Sequence, residues 1–215
     1  MDFSRLFIRL ATAAALLLPA AAIAGPNPCT ASVAEAERIF GIPEGLLQAM
    51  AINESGMKGQ PYPWALNVGG RVVYAGNLDA AQKILDERRA KGRKNLFAGC
   101  MQLSVHHHGN AFGSLRDLLQ PKRNVAYAAK YLASHFEDYS DWELAVRRYQ
   151  GGKSRQSAAY FCKVLRILRD IKPRTARELD NGRCGPMPSI AETPAEPAVI
   201  PASAPLSRED LRELS

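Results

Sequence analysis

Helix start and stop signals recur closely along this chain, and they constrain its fold more than any other feature. Ser32 and Glu35 have the spacing of a capping box, which predicts a helix that ends at Gly41. Pro43 suits the first turn of the next helix, which we expect to reach about Ser55. Segments this short, with stops this frequent, favour a compact helical domain over long helices or a coiled coil.

The same pattern continues in the second half of the chain. Ser114 and Ser140 are predicted to open two helices, and the apolar spacing of residues 123–136 predicts another between them. The last strong helix covers residues 156–172 and should end at Pro173. These segments predict a mainly α fold.

One segment interrupts the helical pattern. Residues 64–76 (WALNVGGRVVYAG) place Gly69-Gly70 between two short β-favouring runs, which predicts a small hairpin. Residues 78–92 then have the charged pattern of a surface helix. We therefore expect a helical domain with a β-hairpin insertion.

The two ends of the chain differ in composition from its middle. Residues 1–24 combine Arg5 and Arg9 with a short alanine-rich apolar run, and Ala22-Ile23-Ala24 fits cleavage before Gly25. This pattern predicts a secretory signal that leaves no stable membrane span after cleavage, with an uncleaved anchor as the alternative. Residues 186–215 are rich in proline and alanine, which predicts a disordered tail, so the predicted domain is 25–185.

The predicted domain is basic. The full chain has a formal net charge of +7. The first 24 residues contribute +1 (two arginines and one aspartate) and the last 30 contribute −3 (five acids and two arginines), so the net charge of residues 25–185 is +9. A basic exported domain suits a polyanionic partner at the cell surface, although solubility explains the same charge.

Four cysteines lie in the predicted domain: Cys29, Cys100, Cys162 and Cys184. An even number in an oxidising compartment predicts disulfides, and three connectivities are open. If a single bridge forms, we expect Cys100 to stay free. Zinc is disfavoured because the chain contains no CxxC pair.

Glu54 is the ionisable residue that stands out in the second predicted helix. Leu46, Met50 and Glu54 are spaced by four, which places the carboxyl on or beside the apolar stripe. Burial and the negative end of the helix dipole both raise a carboxyl pKa. Glu54 is therefore a candidate general acid, and the alternative is a boundary glutamate that points to solvent.

Four short motifs follow one another in the order INESG (52–56), GCMQLS (99–104), NVAYAAKYLA (124–133) and AVRRYQGG (145–152). This order resembles the family 1 lytic transglycosylases of the lysozyme-like superfamily, with their E-S, G-x-M-Q, A-x-Y-L and A-x-x-Y-N-x-G motifs. The resemblance covers roughly residues 30–170. It departs at Gln150, where the family usually has asparagine.

The resemblance implies a lysozyme-like α+β fold and an enzyme with Glu54 as its catalytic acid/base. It implies that Ser55 orients Glu54 or the N-acetyl group of the substrate, and that Met101 and Gln102 line the cleft. It also places Tyr149 near Glu54, with a hydrogen bond in the cleft. Asn124 reads as a structural residue.

About 44 residues separate Ser55 from Gly99, more than in the soluble murein-degrading members. The insertion is similar to a subgroup found with conjugation, type IV secretion and pilus systems, where W-x-L-N-V-G-G precedes G-C-M-Q. Trp64 and Asn67 would then line the cleft wall. For Trp64, a role as core anchor of the loop is an equal alternative.

The implied activity is cleavage of the MurNAc-GlcNAc β-1,4 bond of peptidoglycan, with formation of 1,6-anhydro-MurNAc ends and no cofactor or metal. The implied partners are glycan strands and components of a secretion, conjugation or pilus complex. The implied location is the periplasm of a Gram-negative envelope. No nucleic-acid recognition motif is present, so nucleic acid is not an expected partner.

Three other functions compete with this interpretation. A water-using muramidase is the nearest, and an inactive glycan-binding module that scaffolds a channel is the second. The third is a cysteine hydrolase or metal site built from Cys100 and His106–His108. Cys100 occupies an apolar position of its motif and no orienting acid accompanies the histidines, so the third is disfavoured.

Overall fold

The computed structural model describes residues 27–152 and 154–185, and these residues form a mainly α fold, as predicted. The predicted signal (1–24) and the tail (186–215) lie outside the described residues. The helices are α1 (Pro28–Ile39), α2 (Leu46–Ser55), α3 (Leu78–Ala90), α4 (Val105–His108), α5 (Leu115–Leu119), α6 (Pro121–Tyr139), α7 (Trp142–Tyr149), α8 (Arg155–Ile171) and α9 (Pro173–Leu179). Within the described part of the chain, no helix is both long and apolar enough to span a membrane.

The predicted hairpin is confirmed, and it belongs to a larger sheet. The strands are β1 (Gly56–Met57), β2 (Gln60–Pro61), β3 (Ala65–Val68), β4 (Arg71–Tyr74), β5 (Leu96–Ala98) and β6 (Leu103–Ser104). Strands β1 and β2 pair with each other, while the other four form an antiparallel sheet in the order β4-β3-β5-β6. The sheet thus joins the hairpin to the segment that carries the GCMQ motif.

The start of α1 differs from the sequence prediction. The helix begins at Pro28, and the side chain of Asn27 accepts hydrogen bonds from the backbone N–H groups of Cys29 (2.9 Å) and Thr30 (3.3 Å). Ser32 lies inside the helix, where its hydroxyl donates to the carbonyl of Pro28. The Asn-Pro pair is the true start signal, because asparagine caps well and proline suits the first turn.

The start of α2 is capped from a different helix. Both carboxylate oxygens of Glu37, which lies in α1, accept backbone N–H groups, from Gly45 at 2.9 Å and from Gln48 at 3.0 Å. These bonds satisfy donors that an α-helix leaves unpaired in its first turn. The contact fixes α2, and therefore the residues at its far end, against α1.

Two further boundaries are corrected. Ser140 ends α6 in a left-handed conformation (φ 49°), and Asp141 caps α7 through its bond from the N–H of Leu144. The last strong helix stops at Ile171, and Pro173 begins α9, because proline suits a first turn as well as a stop.

The described residues bury two hydrophobic clusters. The larger cluster packs α1, α2, α6, α7 and α8 together around side chains such as Leu47, Leu132 and Phe161. The smaller cluster packs one face of the four-stranded sheet against α3 and α5, around Leu66, Leu85 and Leu118. The end of α2 lies where these two parts of the domain meet, because Ser55 bonds the carbonyl of Cys100 and the carbonyl of Gly56 accepts the Tyr74 hydroxyl of β4.

All four cysteines are paired. Cys29 is bonded to Cys100, and Cys162 is bonded to Cys184. Since two bridges form, the single-bridge case in which Cys100 was expected to stay free does not arise. The Cys29–Cys100 bridge ties the first turn of α1 to the segment between β5 and β6.

Candidate active site

Glu54 lies in the last turn of α2 and is partly exposed, while Leu46 and Met50 on the same stripe are fully buried. The helix stops directly afterwards at Gly56, whose N–H bonds the carbonyl of Ile52. A Cβ at position 56 would lie 2.2 Å from that carbonyl oxygen, so only glycine fits at the point where the chain leaves the helix. The carboxyl therefore sits at the junction of the helical part and the sheet.

Tyr160 is the hydrogen-bond partner of Glu54. Its hydroxyl donates to Oε1 of Glu54 at 2.6 Å, from a helix that lies 106 residues further along the chain. Burial raises the pKa of Glu54 to about 7, and the bond from Tyr160 opposes part of that rise. The predicted direction of the pKa shift is confirmed, with burial as its largest cause.

Sequence patterns alone do not identify Tyr160 as a residue of the site. In α8 it shares a buried face with Ser157, Phe161 and Val164, so the helical pattern presents it as an ordinary core residue. Only the packing of α2 against α8 shows that its hydroxyl meets a carboxyl group. Burial, followed by the negative charge of Glu54, raises the pKa of Tyr160 well above its usual value, so the hydroxyl stays a donor.

Tyr149 lies near Glu54 but does not bond to it. Its hydroxyl donates to the carbonyl of Met101 at 3.0 Å. Burial raises its pKa well above the usual value, and the negative charge of Glu54 adds to that rise, which places the two groups within electrostatic range. Tyr149 therefore ties α7 to the GCMQ segment beside the carboxyl.

Ser55 serves a structural role. Its hydroxyl donates to the carbonyl of Cys100 at 2.8 Å and accepts the N–H of Tyr62 at 3.1 Å. The side chain is almost fully buried, and the prediction that it orients Glu54 or the N-acetyl group of the substrate stays a prediction. Ser55 joins the end of α2 to Tyr62, which directly follows β2, and to the disulfide-bonded Cys100. These bonds fix the backbone next to Glu54.

The GCMQ segment is held in place by Asn124. Its Oδ1 accepts the N–H of Met101 at 2.9 Å, and its Nδ2 donates to the carbonyls of Ala98 and Leu118, both at 3.0 Å. Gly99 packs so closely that a Cβ there would lie 2.3 Å from this amide nitrogen, and its φ is +86°. The structural role predicted for Asn124 fits these bonds.

Met101 and Gln102, both predicted to line the cleft, differ in exposure. Met101 is fully buried, and its predicted contact with substrate stays a prediction. Gln102 is partly exposed, and its Nε2 donates to the carbonyls of Ala65 (2.9 Å) and Gly99 (3.1 Å). Its Oε1 accepts no hydrogen bond within the described residues, so an acceptor is left for a ligand.

Trp64 and Asn67 both belong to the sheet part of the domain. Trp64 is partly buried against the smaller hydrophobic cluster, with its ring edge-on to Tyr62 at 6.2 Å, which favours the core-anchor alternative. Oδ1 of Asn67 accepts the N–H of Gly70 at 2.8 Å and thereby closes the hairpin turn.

Cys100 is not the nucleophile of a cysteine hydrolase, because its sulfur is bonded to Cys29 and is not a free thiol. His108 is buried against Tyr127, with its Nδ1 3.0 Å from the tyrosine oxygen, and burial lowers its pKa to about 4. Among the described residues, no group of three or more His, Cys, Asp or Glu side chains is arranged to hold a metal ion.

A groove of about 510 Å³ runs along the other side of α2, between α1 and the end of α8. Gln48 and Ile52 line it, and Glu54 does not. Two residues correspond to about 200° around an α-helix, so Ile52 and Glu54 point in different directions. The groove is therefore separate from the Glu54 carboxyl.

Removing the Tyr160 hydroxyl is expected to raise the pKa of Glu54 above about 7, because that hydroxyl favours the ionised carboxylate. A carbon-13 NMR titration of the Glu54 carboxyl carbon in the Tyr160→Phe variant measures the shift. Tyr149→Phe is the matched control, since its hydroxyl bonds Met101 instead. If the pKa of Glu54 is unchanged or lower in Tyr160→Phe, the Tyr160 hydroxyl is not the donor that stabilises the Glu54 carboxylate.

A family model described as Transglycosylase SLT domain matches residues 31–160, which is more than half of the chain. No curated protein and no solved structure matches the chain. The match covers Glu54, the GCMQ segment, Asn124 and both Tyr149 and Tyr160.

Proposed function

The chain belongs to the family of transglycosylase SLT domains, and from that premise we propose that it is a peptidoglycan lytic transglycosylase with Glu54 as its single catalytic acid/base. The observation that carries this proposal is the state of the carboxyl group. Glu54 is partly exposed, bonded to Tyr160 and has a pKa of about 7, so a large fraction is protonated near neutral pH. A general acid works best when its pKa lies near the working pH.

In the proposed reaction, Glu54 first gives its proton to the oxygen of the glycosidic bond as that bond breaks. The acetamide of the substrate sugar stabilises the positive charge that develops at C1. The Glu54 carboxylate then accepts the proton of the C6 hydroxyl while the C6 oxygen bonds to C1. The product is a 1,6-anhydro ring, the acid is regenerated, and no water is consumed.

Tyr160 stabilises the ionised state of Glu54 in this cycle. Its hydroxyl donates to the carboxylate that remains after the first proton transfer, and it limits the rise of the pKa that burial imposes. Since its own pKa is raised well above the usual value, it does not compete as a proton source near neutral pH. We therefore assign it a positioning role.

A hydrolytic muramidase is the second candidate, and it ordinarily needs two carboxyl groups about 5–10 Å apart. Three aspartates of the described residues are engaged elsewhere: Asp79 pairs with Arg116, Asp117 pairs with Arg123, and Asp141 caps α7. Among the described residues, no other carboxyl group contributes to the raised pKa of Glu54, whose causes are burial and the opposing bond from Tyr160. This arrangement favours the single-acid reaction.

The products of digestion test the proposal directly. We expect purified peptidoglycan treated with the protein to release muropeptides with 1,6-anhydro-MurNAc ends, which mass spectrometry separates from hydrolytic products by the mass of one water. Reducing ends in their place would identify a muramidase. Binding of the glycan without any release would identify the inactive module.

The cellular role that we propose is local opening of the wall during assembly of a conjugation, secretion or pilus apparatus, in the periplasm of a Gram-negative envelope. Support comes from the predicted export signal, the two disulfides, which suit an oxidising compartment, and the long insertion between Ser55 and Gly99. Fractionation of cells that express the full chain tests the location. Recovery in the cytoplasm with free thiols would contradict it.

A further inference from the structure

Basic side chains are concentrated where α3 ends. Residues 88–94 (RRAKGRK) contain five lysines and arginines, and all five are exposed. None of the five forms an ion pair within the part of the chain that the structure describes. Two acids precede them, Asp86 and Glu87, so the five cations and two acids of residues 86–94 give a net charge of +3. We call residues 88–94 the cationic turn.

Backbone hydrogen bonds hold the cationic turn in a defined conformation. The N–H of Gly92 bonds the carbonyl of Arg89 at 2.9 Å, and the N–H of Arg93 bonds the carbonyl of Arg88 at 3.1 Å. Basic residues in the last turn of a helix are favoured by the helix dipole, which accounts for Arg88 and Arg89. Arg93 and Lys94 lie beyond the helix, so the dipole does not account for the whole cluster.

The cationic turn borders a concave surface that lacks a counter-charge. Arg89, Arg93 and Lys94 line a depression of about 360 Å³, together with His106 and Asn110. Within the described part of the chain, no acidic side chain lines it. A second depression of about 430 Å³ adjoins the first, since Arg89 and Asn110 line both. An anionic group that enters this surface therefore meets positive charge without a competing carboxylate.

The turn of the β3–β4 hairpin lies beside the cationic turn. The N–H of Gly69 bonds the carbonyl of Asn95 at 2.9 Å, and Asn95 directly follows the cationic turn. Arg71 adds an exposed cation that forms no ion pair with any described residue. Val72 is 59% exposed, the most exposed large hydrophobic residue in the described part of the chain. This end of the domain therefore presents both positive charge and an apolar side chain.

The cationic turn is separate from the Glu54 site. The carbonyl of Ala65, at the other end of β3, accepts the N–H of Gly99 in the GCMQ segment. The three residue steps of β3 correspond to about 10 Å along the strand. Neither depression beside the cationic turn is lined by Glu54 or Tyr160. A partner that binds at the cationic turn therefore does not occupy the carboxyl site.

The exposure of these cations favours an extended array of anions over a single small anion. A bilayer with anionic lipids displays phosphate groups across a plane, and it attracts basic side chains that lie within a Debye length of its surface. An aliphatic side chain such as Val72 gains from entering a bilayer interface, and it gains little from a nucleic-acid phosphate backbone. The combination of charge and apolar exposure therefore fits a membrane surface.

We propose that the cationic turn, together with Arg71 and Val72 of the hairpin, docks the domain onto a membrane surface that contains anionic phospholipids. Headgroup phosphates pair with the cations that line the depression, while Val72 enters the interface. Docking of this kind holds the domain at a membrane and keeps the Glu54 site free of lipid. The proposal is independent of the reaction that Glu54 performs.

The test measures how much of the full chain sediments with vesicles made of equal parts phosphatidylglycerol and phosphatidylcholine. We expect binding that falls as salt is added, because the attraction is electrostatic. The triple variant Arg89→Gln, Arg93→Gln and Lys94→Gln should lower the partition coefficient by about 10²-fold, the loss expected for three basic residues near an anionic surface. Val72→Asn should lower it by about tenfold, because its apolar area no longer enters the interface.

The matched control removes the same charge from another surface. Lys163, Arg166 and Arg174 are exposed on α8 and α9, and none of them forms an ion pair with a described residue. Their triple replacement by glutamine should keep most of the binding of the parent. Residues 1–24 are present in every variant, so any vesicle binding that they contribute is common to all.

Four outcomes would overturn the inference. Equal losses in the two triple variants would show that net charge alone determines binding. Equal binding of the parent to vesicles of phosphatidylcholine alone would show that anionic lipid is not required. Displacement from the vesicles by inorganic phosphate, and not by chloride at the same ionic strength, would identify a small-anion site. Binding to an oligonucleotide but not to the anionic vesicles would identify a nucleic-acid surface.

Two further measurements keep this inference distinct from the proposed function. Thermal unfolding of each variant should match the parent, since the replaced side chains are exposed. The cationic-turn triple variant should release muropeptides from purified peptidoglycan at the rate of the parent in the absence of vesicles. Selective loss of vesicle binding supports the inference whether or not anhydro products form.

Discussion

Replacing Glu54 with glutamine is expected to lower the rate of peptidoglycan cleavage by about 10²–10⁴-fold, the range that a positioned general acid or base contributes. The amide has nearly the same shape as the carboxyl and keeps an oxygen that accepts the Tyr160 hydroxyl. It has no proton to give to the glycosidic oxygen, and it is unable to take one from the C6 hydroxyl. Release of soluble muropeptides from purified peptidoglycan measures the rate.

The folded state should not suffer from this substitution. Burial raises the Glu54 pKa from 4.5 to about 7, so its favourable contribution to stability is fully present below pH 4.5 and is lost as pH rises to about 7. Above that range a neutral glutamine avoids the partly buried charge. The Glu54→Gln variant should therefore unfold at the same temperature as the parent, or higher, at pH 8.

Tyr139→Phe is a suitable control variant, which should cleave peptidoglycan like the parent because that exposed ring lies outside the site. If the Glu54→Gln variant cleaves peptidoglycan at a rate close to that of the parent, Glu54 is not the catalytic acid. If its melting temperature falls well below that of the parent, lost activity reports lost structure instead.

The elements that the sequence predicts well are those specified by local signals. The hairpin follows from Gly69-Gly70 between β-favouring runs, and α5 follows from Ser114, whose side chain accepts the N–H of Asp117 as a cap. The β5 and β6 strands were not predicted. Each is only two or three residues long, and β5 depends on pairing with β3, some 30 residues earlier, which local patterns do not encode.

The candidate site shows the same division between local and distant information. The raised pKa of Glu54 follows from its position on the stripe of α2, which the sequence displays. Its partner Tyr160 is 106 residues away and reads as a core residue. Ser55 and Met101 were assigned to substrate because they lie in motifs, yet both are buried. A motif marks residues that the site requires, and it does not separate those that touch substrate from those that hold the backbone.

The second large effect is expected from removing the Cys29–Cys100 disulfide by the double substitution Cys29→Ala and Cys100→Ala. The bridge closes a loop with a sequence separation of 71, for which the chain-entropy model gives about 4 kcal/mol of stabilisation. Both cysteines are fully buried in the larger hydrophobic cluster. Denaturant unfolding at 25 °C should show a loss of this size.

The same substitution should also lower activity. The carbonyl of Cys100 accepts the Ser55 hydroxyl, and the next residue, Met101, accepts the Tyr149 hydroxyl and donates its N–H to Asn124. Without the bridge, the backbone that fixes the residue next to Glu54 loses its covalent tie to α1. We therefore expect the rate of cleavage to fall even under conditions where the variant is folded.

The Cys162–Cys184 bridge provides the matched control for this effect. It joins α8 to the segment after α9 with a sequence separation of 22, for which the same model gives about 3 kcal/mol. The Cys162→Ala and Cys184→Ala double variant should lose stability but keep most of its activity when folded, because the hydrogen bonds that hold Ser55 and the GCMQ segment involve Cys100 and Asn124. If the first double variant is not recovered folded, controlled reduction of the parent protein replaces it. If removal of either disulfide lowers the activity equally, global stability, and not the covalent link at Cys100, determines the rate of peptidoglycan cleavage.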